Sequence, residues 1–183
     1  MGAPVYRGDI HARWLRFGKQ ARLDLPIMPG VIADILVAAL AAMLLVAAVG
    51  DLKSRIIPNR LNAAIALTAI PFWWLAGLSP WPDMAVQVAV AAGVFFLFAL
   101  AFRIGAMGGG DVKMVAAVAL WLPPLAVLKL LVVMSLAGGV ITLAMLARQR
   151  IGKSRAQLEI PYGVAIAFGG FWVLSERYLN QFG

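Results

Sequence analysis

The stretch VIADILVAALAAMLLVAAVG, residues 31–50, runs directly into DLKSRIIPN, residues 51–59. At 1.5 Å per residue the first part makes a helix of about 30 Å, the thickness of a bilayer's hydrocarbon core. Within nine residues the second part brings Asp51, Lys53, Arg55 and Pro58. A membrane span that ends on a carboxylate and a basic loop is the reading that decides the fold.

The rest of the chain repeats the pattern. The 183 residues are 63% hydrophobic and 13% charged, with mean hydropathy +0.90. That excess is too large for a soluble domain. Apolar runs fall at about 31–50, 62–78, 84–102, 112–122, 125–147 and 161–175. The expected fold is therefore all-α, a polytopic membrane protein with a bundle of six transmembrane helices in residues 31–176. A basic N-terminal extension, 1–30, precedes it, and a short C-terminal tail, 177–183, follows. Ser79-Pro80-Trp81-Pro82 and Leu122-Pro123-Pro124 read as turns, and Asn59 or Asn62 is expected to cap the second helix. The fourth run is only about 16 Å long. Part of Ile104–Gly110 is thus expected at membrane depth, packed in protein or lining a wet cavity.

Charge sorts the loops. The net charge of +8 comes from residues in short segments between apolar runs, so no nucleic acid is expected as partner. The loops 51–61, 103–113 and 148–160 share one side and carry nine basic residues, from Lys53 to Arg155; the turns 79–83 and 123–124 carry none. The basic side is read as cytoplasmic. Trp73, Trp74, Trp81 and Trp121 fall at the other interface, as an aromatic belt would. Six spans put the basic extension outside, against the rule. It either lies flat on the surface, or a span is miscounted, or the native start is Met28. The extension itself reads as an interfacial helix, a disordered segment or a signal peptide.

Residue types narrow the chemistry. There is no cysteine, and the single His11 lies in the tail. Disulfides, a thiol nucleophile and His-based metal sites drop out, and no metal or cofactor is expected. Of eight acidic residues, Asp51, Asp111 and Glu159 reach the basic side. Asp34 lies about 25 Å up the first helix from Asp51. Glu159, before Pro161-Tyr162-Gly163, suits a helix cap. Asp111 could likewise cap the fourth helix, and Asp51 could pair with Lys53, Arg55 or Arg60. Carboxylates at a membrane boundary are nevertheless functional candidates by default. Two that meet share a proton and can activate water. On helix-end dipoles the base role falls to Asp111, within a coupled pair. Gly108 and Gly110 would let another segment approach closely. Lys113 reads as an interfacial anchor, Lys129 as a residue snorkelling outward, and Gly138-Gly139 and Gly169-Gly170 as close helix packing.

These motifs resemble the type IV prepilin peptidase family, membrane aspartic proteases of the GxGD class. They are Asp51 and Pro58-Asn59 with six residues between Asp and Pro, Gly108-Gly109-Gly110-Asp111-Val112-Lys113, and Pro161-Tyr162-Gly163 before the last helix. The resemblance covers roughly residues 31–175. It implies a six-helix GxGD protease fold with Asp51 and Asp111 catalytic, and Gly108, Gly110, Pro58, Pro161 and Gly163 shaping the site. It also implies a prepilin-type substrate, cleaved after a Gly at the cytoplasmic face of a bacterial inner membrane. Longer members carry a cysteine-bearing insertion and also methylate the new terminus. This chain lacks both cysteine and insertion, so it resembles the short Flp/Tad-type form without methyltransferase activity. The competing expectations are a proton-coupled transporter using the two aspartates as a relay and a non-enzymatic assembly scaffold. The oligomeric state is left open.

Overall fold

Alternation between two ends organises the chain in the computed structural model, which describes residues 27–152 and 160–179. The N-terminal extension up to residue 26, Glu159 and the last four residues lie outside them. Six α-helices follow one another there: α1 (Ile27–Ser54), α2 (Asn59–Leu75), α3 (Ala85–Arg103), α4 (Gly109–Ala119), α5 (Pro124–Gly152) and α6 (Tyr162–Leu179). The protein is an all-α membrane protein. Gly30–Ser54, Pro80–Arg103 and Pro124–Arg150 are each long and apolar enough to cross a bilayer.

Each helix direction reverses the last, so Ser54, Asn59, Arg103, Gly109, Gly152 and Tyr162 gather at one end. α4 packs on α2, α3 and α6, and α6 on α1, α4 and α5. On α1 the buried positions are Ala33, Val37, Leu40, Leu44, Ala47 and Asp51. Their 4-3-4-3-4 spacing is one helical stripe, and the carboxylate continues a core-facing row. The opposite face, with Ile35, Leu45, Val46 and Leu52, is as apolar but exposed, as a lipid-facing surface would be.

α4 is short, yet it is the most enclosed helix. Its far end is satisfied by side chains rather than by water. Trp73 Nε1 donates to the Leu120 carbonyl at 2.8 Å, and Gln87 Nε2 donates to Leu120 and Leu122 at 3.2 and 2.9 Å. Trp121 Nε1 donates back to the Ile65 carbonyl at 2.7 Å. Away from water an unpaired carbonyl is costly, and Trp73 and Gln87 remove that cost. The buried irregular backbone therefore lies at the far end of α4, where Trp121 and Leu122 are enclosed. At 104–110 the chain is largely open, with Met107 buried.

Several local expectations change for physical reasons. Trp73 and Trp121 are internal donors, whereas Trp74 and Trp81 stay exposed. Neither Asn59 nor Asn62 caps α2; Pro58 occupies the cap position without a side-chain bond. Lys129 does not merely snorkel: its Nζ meets Glu176 Oε2 at 2.7 Å, linking α5 to α6. Gly169 packs against Leu130, and Gly138 against the Tyr162 ring, while Gly139 faces open space.

Candidate active site

Three segments distant in sequence converge at the end where Ser54, Asn59 and Gly109 lie. Asp51 arrives on the last turn of α1, Asp111 on the first turn of α4, and Gly163 on the first turn of α6. Both acids are buried, Asp51 to 4% and Asp111 to 8% exposure.

Helix starts hold both carboxyl groups. The first turn of α6 has backbone N–H groups with no partner inside the helix. Asp51 supplies one from another helix: its Oδ2 accepts the Val164 N–H at 3.3 Å. Asp111, third residue of α4, reaches back to the backbone of Gly108, half of a capping box. The Gly163 backbone acts electrostatically on both carboxyl groups, and the charge of Asp51 acts on Asp111. A cap needs one acid per helix end; a second buried acid, Asp111, whose Oδ1 has no hydrogen-bond partner, is more than capping requires.

Small residues make that meeting possible. A Cβ built on Gly163 would lie 2.9 Å from Asp51 Oδ2 and 3.0 Å from Asp51 Cβ; one built on Gly108 would lie 2.8 Å from Asp111 Oδ2. Ile57 wedges between the two glycine loops: its Cβ and carbonyl would be 3.3 Å from a Cβ on Gly110, and its Cδ1 2.7 Å from one on Gly163. Its buried side chain follows Arg55, whose φ of 57° turns the chain sharply out of α1. Arg55 is also the basic residue whose charge acts on Asp51.

The other expected residues divide cleanly. Pro161 is buried and its carbonyl accepts the Val164 N–H at 3.2 Å, opening α6 beside Asp51. Pro58 is exposed; it starts α2, its carbonyl accepting Leu61 and Asn62 N–H. Lys113 Nζ meets Asn59 Oδ1 at 2.8 Å, joining the starts of α4 and α2. Ile57 and Asn62 carried no site signal in the sequence. Asn62 could have been noticed as a lone amide in an apolar run. Because donors lie on both acids, helix-end dipoles alone no longer assign the base. The site's donor and acceptor set is a carboxyl pair framed by backbone amides.

An all-α membrane bundle with paired acids at one end is the class that fold and site define. The chain belongs to the type IV leader peptidase family: a sequence model of that family matches residues 38–143, more than half of its length. It is a protease of the membrane by that membership. The matched region contains Asp51 and Asp111 and stops before Gly163. No curated protein matches the chain, and no solved structure matches it.

Proposed function

We propose that the protein is an aspartic endopeptidase that removes the basic leader of type IV or Flp-type prepilins at the cytoplasmic face of a bacterial inner membrane. The observation that carries this reading is the burial of two acids, Asp51 and Asp111, at one end of the bundle, close enough for the charge of one to act on the other. Water held between the carboxyl groups gives a proton to the ionised one while its oxygen attacks the scissile carbonyl carbon. The protonated partner hydrogen-bonds to the carbonyl oxygen and passes it a proton, leaving a neutral gem-diol. The first acid then delivers its proton to the leaving nitrogen, the C–N bond breaks, and the second acid regains a proton from the diol. Protons balance, and no covalent enzyme intermediate forms.

The basic loops support a cytoplasmic position for this end. The absence of cysteine and of a long cytoplasmic insertion supports the short Flp/Tad-type form, with cleavage but no methylation. Coexpression with an Flp-type prepilin tests the reading by gel shift. Wild type is expected to shorten the prepilin, and Asp51→Asn and Asp111→Asn to leave it full length while still accumulating in the membrane. Cleavage that persists in both variants would overturn it.

A further inference from the structure

Asn62 is buried to 4% exposure in the first turn of α2. Its Nδ2 donates to the Gly110 carbonyl at 2.9 Å, across to α4, and its Oδ1 is buried without a hydrogen-bond partner. Burying an amide with one acceptor unmet is costly, and an alanine or leucine would avoid that cost. Nor does the Gly110 carbonyl need Asn62: it lies at the start of α4, where the regular pattern gives it an intrahelical N–H. The bond is therefore a second one on an oxygen with two lone pairs. What it adds is position. It fixes the peptide immediately before Asp111 to α2.

Helix packing explains why that position matters. α1 packs mainly on α2 and α6, and α4 on α2, α3 and α6. The alignment of Asp111 with Asp51 is thus transmitted through α6, by Gly163, and through α2. Ile57 supplies only packing on the α2 side, since its contact with Gly110 has no directional bond. The Asn59–Lys113 link lies at the surface. Trp73 and Trp121 tie α2 to the far end of α4; Asn62 gives the α2 side a buried directional bond at the end where Asp111 lies.

Resting on the proteolytic reading above, we propose that Asn62 is a positioning residue for Asp111, holding the Gly110–Asp111 peptide so that its carboxyl group meets that of Asp51. The test uses the full chain in mixed micelles with a purified Flp-type prepilin, measuring kcat and KM between pH 4 and 9. Asn62→Ala is expected to lower kcat by about 100-fold with little change in KM, as a misplacement near 1 Å does. Asn62→Asp keeps the shape but can donate to Gly110 only when protonated. Its cleavage is expected to survive at acid pH and fade, relative to wild type, as pH rises. Wild-type kcat in Asn62→Ala, or an Asn62→Asp pH profile that parallels wild type, would overturn the proposal. So would failure of both variants to accumulate as folded protein, which would make the tether structural. Asp111→Asn in the same assay separates the two readings: an inactive Asp111→Asn beside an active Asn62→Ala sinks the positioning role alone. An active Asp111→Asn sinks the proteolytic mechanism.

Discussion

Replacing Gly163 by alanine tests the meeting of α1 and α6 most directly. The new Cβ would stand 3.0 Å from Asp51 Cβ and 2.9 Å from its Oδ2. Ordinary carbon–carbon contact is about 3.5–4.0 Å, so roughly 0.5–1 Å must open between the helices. The oxygen can swing away, but Asp51 Cβ is fixed to the α1 backbone, so the helix itself has to move. A displacement of that size costs up to about 100-fold in rate. The accompanying overpacking costs about 1–3 kcal/mol of stability. Gly170→Ala is the matched control on the same α1–α6 interface, about 10 Å along α6. There the new Cβ meets Leu44 Cδ1 at 2.9 Å, the far end of a flexible side chain, and nothing else closer than 3.8 Å. Thermal unfolding in detergent is expected to show the smaller destabilisation in Gly170→Ala, while prepilin cleavage collapses only in Gly163→Ala. Full activity in Gly163→Ala, or equal loss in both, refutes the reasoning.

Other outcomes follow from the same geometry. Wild-type kcat/KM is expected to trace a bell against pH, since the pair works with one proton: the acid limb marks both acids protonated, the basic limb both ionised. A profile with a single limb would argue against proton sharing. Gln87→Leu strips the Leu122 carbonyl of its side-chain donor and should cost about 1–3 kcal/mol in thermal unfolding, with cleavage unchanged at low temperature. The chain has no cysteine, so single cysteines report sidedness without background. Lys53→Cys is expected to react with an impermeant maleimide only after permeabilisation of spheroplasts, and Trp81→Cys before it. The reverse pattern would invert the proposed orientation.

How much of this was legible beforehand depends on which physical signal each feature leaves. The six helices were visible because hydrocarbon thickness sets a minimum run of apolar residues, and charge and proline punctuate the runs. Boundaries moved by a few residues: α1 starts at Ile27 rather than 31, and α5 continues to Gly152. Asp51 and Asp111 stood out because carboxylates at a membrane edge are costly. Which face of each helix points inward was not legible. In lipid both faces are apolar, so α1 shows Leu44 inside and Leu45 outside with no compositional difference. For the same reason Ile57 could not be singled out from Ile56. Trp73 and Trp121 read from sequence as belt residues because position along a helix is readable and rotation about it is not. The length of α4 alone did not say how the backbone at its two ends is packed: Met107 is buried before it, and Trp121 and Leu122 after it.

The double use of helix starts links stability and chemistry at this site. The Val164 N–H at the start of α6 is shared between the Pro161 carbonyl and Asp51, and Asp111 lies against Gly108 at the start of α4. Each acid therefore does folding work before any substrate arrives, which offsets part of the cost of burying it. Asparagine retains an acceptor oxygen, so Asp→Asn variants can preserve both caps while removing the ionisable group. Alanine removes both and mixes the two effects. A larger loss of stability in Asp51→Ala than in Asp51→Asn, with equal loss of cleavage, is what this dual role requires. If the two variants unfold alike, the carboxyl group of Asp51 is not holding α6, and its bond to Val164 contributes little to the fold.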